Sequence, residues 1–320
     1  MVVDIDVKID GLSEVESILI LDNIKKLFGL YSNLDLRRLI KIIVTPNLNE
    51  EIATLTKSKE SSTNNSVYLT KNDSFAKVVI LPHDNNFDMV LVMRSDFIEC
   101  LNHKSKKTCL MTYEDAAHVF HHELVHVHDN NKRIDLFPED IKEHHYEGVK
   151  QITYPLVQLC WGEYIANYIS SESAARSLFP TVLAQSLVKN IKEVRFNMQN
   201  EILAYRTNQD RDKLFASFKL QIQMLLKNAA YLLGYMHGMN KTLEEICDQS
   251  AYDLELSYFN TTWEAMSKEL LNMRHLYPDA WSSLAIYNPL ANLFEQFSLY
   301  LGVKLFENEN RELCFDVPAQ

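Results

Sequence analysis

The hydrophobic pattern of this sequence changes once, near Thr112. Before that point, short alternating apolar runs are mixed with one helical stretch at residues 13–30. After that point, apolar residues recur at helical spacing almost to the end of the chain. The pattern therefore predicts an α+β protein, with a small sheet in the N-terminal lobe and a mainly helical C-terminal lobe.

The expected elements follow from this periodicity. The β-like runs are residues 2–10, 39–45, 66–70, 76–81 and 89–93, with a terminal strand at 313–317. The helices expected after Thr112 are residues 113–130, 158–173, 180–205, 213–238, 243–256, 262–274 and 289–305. Because no repeat or long flexible linker interrupts the pattern, we expect one fold with lobes at residues 1–131 and 132–320 and a cleft between them.

Charge and cysteine content exclude several function classes. The chain has 32 Lys and Arg against 43 Asp and Glu, a net charge of -11, which argues against nucleic acid and anionic membranes as partners. Its five cysteines are scattered and never form a CxxC pair, as is typical of reduced thiols. No signal peptide or membrane span is recognisable, so the sequence predicts a cytoplasmic protein.

A dense histidine cluster marks the candidate site. Seven of the eleven histidines lie between positions 118 and 145, and they include the pattern HExxH at 122–126. On an α-helix, His122 and His126 differ in direction by about 40°, so both imidazoles can bind one zinc ion. The intervening Glu123 projects beside the metal, where it can take a proton from a metal-activated water.

The predicted helix has two distinct faces. With His122 at zero, His126 lies near 40° and Asp129 near 340°, whereas Leu124 lies near 200°. Metal-competent residues thus share one face, and apolar residues share the other. Asp129 is expected to contact the metal ligands without binding the metal itself. It is also an alternative third ligand.

A third ligand is expected downstream. Glu163 lies thirty-seven residues after His126 in an apolar, helical context, and two histidines with one carboxylate make a catalytic type of zinc site. Asn167, one turn later, is positioned to accept the second N–H of a ligating histidine. Glu147 is an alternative carboxylate ligand.

These residues resemble the gluzincins, which are zinc peptidases with HExxH and a glutamate ligand on a following helix. They are most similar to the ImmA/IrrE-type metallopeptidases of bacteria and their mobile elements, over about one fifth of the chain, residues 113–180. The matching residues are His122, Glu123, His126, Glu163, Ala166 and Asn167. The resemblance implies a zincin-like fold, zinc bound by His122, His126 and Glu163, and peptide or protein substrates.

The expected activity is hydrolysis of peptide bonds, with Glu123 as the general base. The oxyanion of the transition state needs a further donor. Tyr154 is the first candidate, since thermolysin-like gluzincins carry a tyrosine at a similar place before the glutamate ligand. His237 and the pair at positions 144 and 145 are alternatives.

Other interpretations stay open at this point. A zincin-fold protein without turnover would act as a binding or regulatory module, and an accidental HExxH would leave only a helical structural protein. A non-peptide amide hydrolase would use the same residues. Residues 89–93 are expected to bind an extended substrate if they form an edge strand.

Overall fold

A four-stranded mixed sheet forms the N-terminal part of the fold. The computed structural model describes residues 5–57, 75–83, 86–102, 111–142, 146–175 and 177–318. The strands are β1 (Asp6–Ile9), β2 (Leu39–Thr45), β3 (Ala76–His83) and β4 (Asn86–Arg94), in the spatial order β1-β2-β4-β3. The first three strands in that order are parallel, whereas β3 pairs antiparallel with β4, so that Val78 faces Leu91.

In the described part of the chain, five α-helices accompany this sheet. They are α1 (Glu14–Leu30), α2 (Leu48–Lys57), α3 (Ser95–Ile98), α4 (Tyr113–Leu136) and α5 (Pro138–Lys142). The helix α4, which carries HExxH, contacts β3 and β4, and its Phe120 ring meets Phe28 of α1 edge-on. Together with the segment Ser173–Ser177, these elements form one compact unit.

The second unit is mainly helical. Its helices are α6 (Lys150–Ser170), α7 (Phe179–Asn208), α8 (Arg211–Met239), α9 (Leu243–Glu255), α10 (Asn260–Leu276) and α11 (Asn288–Tyr300). A small antiparallel ribbon of β5 (Lys304–Glu307) and β6 (Leu313–Asp316) follows them. The predicted α+β class, with a small sheet and a helical C-terminal part, is confirmed.

Several helix and strand ends lie where the local sequence pattern predicts them. Ser13 caps α1 in a reciprocal capping box with Glu16, and the predicted strand 39–45 has the observed bounds of β2. The predicted strand at 66–70 lies outside the described residues. The four described cysteines (Cys100, Cys160, Cys247 and Cys314) are free, as expected.

Several helix boundaries were predicted wrongly. The helix α4 continues six residues beyond its predicted end at position 130. The helix α6 begins at Lys150 rather than at residue 158, because Pro155 lies within its second turn and removes only one backbone hydrogen bond there. The helix α11 ends at Tyr300 rather than at residue 305. Gly302 adopts a left-handed φ of 90°, which breaks the helix before Lys304 enters β5.

Residues 89–93 do not form an edge strand, so the condition set for substrate binding there is not met. They belong to β4, which pairs with β2 on one side and with β3 on the other. Both rows of backbone hydrogen-bonding groups on β4 are therefore used within the sheet, and an extended substrate cannot add there. Among the strands of the described chain, β1 and β3 are the outer ones in this sheet.

Two glycines bring α8 close to α6. A Cβ atom at Gly234 would lie 2.5 Å from the Tyr164 carbonyl oxygen and 2.8 Å from the Asn167 Cβ atom. One turn later, a Cβ at Gly238 would overlap the carbonyl oxygen of Tyr168. These contacts are with the two turns of α6 that follow Glu163, so the glycines fix how closely α8 approaches the helix that carries this residue.

We expect Gly234→Ala to lower the free energy of unfolding by roughly 1–3 kcal/mol, because backbone atoms of α6 cannot move aside as a flexible side chain would. Chemical denaturation measures this change. The matched control is Gly29→Ala in α1, where a Cβ atom meets nothing within 4 Å. The free energy of unfolding of the control should rise by up to about 1 kcal/mol, because alanine has a higher helix propensity than glycine. Equal effects of the two substitutions would contradict the packing argument.

Candidate metal centre

The HExxH helix begins at a well-formed cap. The Asp115 backbone N–H donates to Thr112 Oγ1 over 3.1 Å, and the Thr112 N–H donates to an oxygen of Asp115 over 3.4 Å. This reciprocal arrangement satisfies two backbone groups of the first turn and places negative charge at the positive end of the helix. The cap fixes the start of α4 and hence the rotational position of residues 122–126.

The two histidines of the motif face each other. The Nε2 atoms of His122 and His126 are 3.1 Å apart, and their rings meet edge-to-face with centroids 4.7 Å apart. Two nitrogens at about 2.0–2.1 Å from a tetrahedral zinc ion would lie about 3.3 Å apart. The pair is therefore already at the separation that a shared metal ion requires.

Glu163 completes a group of three candidate metal ligands. One ligand atom from each of His122, His126 and Glu163 lies within 4.8 Å of the other two. His122 and Glu163 are each only 8% exposed, so these polar groups are largely withdrawn from water. Two imidazoles and one carboxylate are the donor set of catalytic zinc sites, and the residues present fit a bound metal ion.

Lys227 of α8 makes an ion pair with this carboxylate. Its Nζ atom is 3.0 Å from Glu163 Oε1, and it also lies over the ring of Tyr231, 5.3 Å from the centroid. Lys227 was not predicted from the sequence, because a residue 64 positions from Glu163 gives no local signal of this contact. It is the main addition that the structure makes to the predicted site.

Glu123 occupies the position between the two histidines and is half-buried. Its side chain follows His122 directly on α4, and the helix turns it about 60° away from His126. A partly exposed carboxylate beside two metal-competent nitrogens can exchange protons with a water molecule at the site. This arrangement is compatible with the predicted base, whose role stays a prediction.

Three further polar residues of α4, Asp129, His118 and His121, are buried rather than solvated. Asp129, one turn beyond His126, is 2% exposed, and its supporting role stays a prediction. His118 and His121 are also buried, and the Nδ1 atom of each lies within 3.1 Å of Ser173 Oγ. Burial lowers the pKa of His121 to about 4, so its imidazole is neutral near pH 7. Sequence reasoning missed Ser173, which lies 55 residues from His118.

Tyr154 points to a different environment from that of Glu163. The two residues are nine positions apart on α6, which corresponds to about 13 Å along the axis and opposite faces of the helix. The Tyr154 hydroxyl donates to Asn288 Oδ1 over 2.6 Å, and its ring packs against Tyr146 and Tyr287. Its placement gives the predicted oxyanion role no support, and that role stays a prediction.

His237 is held inside the helical unit. Its Nδ1 atom is 3.0 Å from the Tyr164 hydroxyl, and its Nε2 atom is 3.1 Å from Ser267 Oγ. Burial lowers its pKa, which favours the neutral imidazole. Both ring nitrogens are engaged by hydroxyl groups, and a catalytic role of His237 stays a prediction.

Asn167 and Cys160 lie one turn either side of Glu163 on α6. The Asn167 side-chain amide donates to the Tyr231 carbonyl oxygen over 2.9 Å, which ties α6 to α8. Its predicted contact with a ligating histidine stays a prediction. Burial, followed by the charge of Glu163, raises the pKa of the Cys160 thiol, which is therefore protonated and unsuited to nucleophilic chemistry.

The alternative carboxylate Glu147 lies on the surface. Its side chain is 74% exposed and pairs with Arg311 over 3.4 Å. It is not one of the three residues whose ligand atoms converge. The histidines at positions 144 and 145 lie outside the described residues.

In the part of the chain that the structure describes, every helix is too short or too polar to cross a membrane. Comparison of the chain with models of protein families, with curated proteins and with solved structures gives no match.

Proposed function

We propose that this protein is a zinc-dependent metallopeptidase of the gluzincin type, with a zincin-like fold, that hydrolyses peptide or protein substrates in the cytoplasm. The observation that carries the proposal is the approach of His122, His126 and Glu163, whose ligand atoms lie within 4.8 Å of one another. The half-buried Glu123 lies on α4 between the two histidines. Neither nucleic acid nor a membrane is part of the proposed activity.

Metal binding and proton transfer are assigned to different side chains of the site. A zinc ion bound by these residues would lower the pKa of a water towards about 7 and polarise the scissile carbonyl. His122, His126 and Glu163 bind and orient the ion. Glu123 takes the proton from the attacking water and then delivers it to the leaving amine, so that one carboxylate acts first as base and then as acid.

Metal analysis and a hydrolysis assay test this proposal together. The full chain is equilibrated with limiting zinc, freed of loose metal, and analysed by mass spectrometry for metal content. About one zinc per chain is expected. A quenched fluorescent peptide library should be cleaved by the zinc-loaded protein, not after chelation, and again after zinc is restored.

The possible results separate the interpretations. Tightly held zinc with no cleavage of any peptide would favour a binding or regulatory protein over an enzyme. A wild-type protein that retains no zinc would overturn the metalloenzyme proposal.

A further inference from the structure

The carboxylate of Glu163 is held by a charged neighbour. Lys227 Nζ lies 3.0 Å from Oε1, which is within ordinary range for a charge-assisted hydrogen bond. The Glu163 side chain is 10% exposed and that of Lys227 is 27% exposed, so water screens the pair only in part. The ion pair therefore places a partly desolvated positive charge beside Oε1 of Glu163.

The surroundings restrict movement of Lys227. Its ammonium group lies over the Tyr231 ring, and the carbonyl oxygen of Tyr231 accepts a hydrogen bond from Asn167 of α6. The close contact at Gly234 keeps the two helices at a fixed separation. The ammonium group is thus presented to Glu163 from a closely packed neighbouring helix.

A partly buried ion pair is weak evidence for stability, because desolvation offsets part of the Coulombic gain. A role in the metal site explains better why a lysine lies here. A carboxylate can bind zinc through one oxygen or through both, and the second mode fills a position that water and substrate need.

We propose that Lys227 is a positioning residue that retains Oε1 of Glu163, so that the carboxylate offers a metal ion one oxygen only. This inference rests on the proposed function. With Lys227 in place, His122, His126 and Glu163 would each offer the metal one ligand atom and would leave a fourth position for water or substrate. The positive charge also reduces electron donation by the carboxylate, which keeps the metal a stronger Lewis acid.

Replacing Lys227 by methionine removes the charge and preserves most of the side-chain length. Both oxygens of Glu163 then become available, and the metal is expected to gain a fifth ligand. Loss of the nearby positive charge also favours a divalent cation electrostatically. We therefore expect Lys227→Met to bind zinc at least as tightly as the wild type, whereas a residue that only maintained the fold would weaken binding when replaced.

Cobalt substitution reports the number of ligands directly. Four-coordinate cobalt absorbs visible light more strongly than five-coordinate cobalt, because geometry governs these transitions. The wild-type full chain should show the intense four-coordinate spectrum, and Lys227→Met should lose severalfold in intensity. Lys227→Arg keeps the charge and should retain the wild-type spectrum. Lys219→Met, eight residues earlier on α8, is the matched control and should leave the spectrum unchanged.

The outcomes distinguish this inference from the proposed function. A wild-type protein that binds no cobalt or zinc would overturn both. A four-coordinate spectrum that is unchanged in Lys227→Met, or a weakened zinc affinity in that variant, would overturn the role of Lys227 alone. If Lys227→Met does not fold, Lys227→Arg still decides the question, since a five-coordinate spectrum in the presence of the charge would contradict the inference.

Discussion

Replacing Glu123 by glutamine will leave zinc binding intact and reduce peptide hydrolysis by about 10²–10⁴-fold, which is the usual contribution of a positioned general base. Glutamine has nearly the shape of glutamate but cannot accept the proton of the attacking water. Because Glu123 is not one of the three converging ligands, metal content should stay at the wild-type value. The measurements are zinc per chain and kcat/KM for a cleaved peptide.

The matched control is Glu114→Gln, which neutralises an exposed carboxylate in the first turn of the same helix. Activity of this control should stay within a factor of two or three of the wild type, since surface changes usually perturb little. Full activity in Glu123→Gln would disprove its role as the base. A variant that lost zinc and activity together would instead show that Glu123 maintains the metal site.

Glu163→Ala is expected to abolish tight zinc binding. The substitution removes the only carboxylate among the three converging ligands and leaves two neutral imidazoles, which attract a divalent cation less strongly. We expect zinc affinity to fall by more than 10–100-fold, which is the typical loss when a residue that hydrogen-bonds to a metal ligand is replaced. A competition titration with a chromophoric chelator measures the dissociation constants.

Two further variants identify the third ligand independently. Glu147→Ala removes an exposed carboxylate paired with Arg311, and it should bind zinc as the wild type does. Asp129→Ala should weaken binding more modestly than Glu163→Ala. Retention of zinc by Glu163→Ala with its loss in one of these variants would transfer the ligand role to that residue. Circular dichroism of each variant verifies that the helices are preserved.

Features that depend on a few neighbouring residues could be predicted from the sequence. The start of the HExxH helix at residue 113 and the run of apolar residues in β2 follow from local signals, and both are present where expected. The start of α6 was missed because a proline near a helix N-terminus costs less than one in the middle. The sequence left open whether β4 is an edge strand, because periodicity does not specify neighbours in a sheet.

The packing of α6 on α8 is less clearly indicated by the sequence than the helix and strand ends are. Gly234 and Gly238 are four positions apart, so they share one face of α8, and small residues at this spacing permit two helices to approach closely. That pattern is visible in the sequence, but its partner is not. Only the structure shows that the glycines contact the turns of α6 next to Glu163.

By itself, the sequence determined the pair of candidate metal ligands and the carboxylate beside them. His122, Glu123 and His126 lie within five consecutive residues, and helix geometry alone directs both imidazoles to one side. Only the tertiary structure decided that Glu163 joins them and that Lys227 holds one of its oxygens. Those contacts join residues 37 and 64 positions apart, and they depend on side-chain packing between helices, which no local pattern encodes.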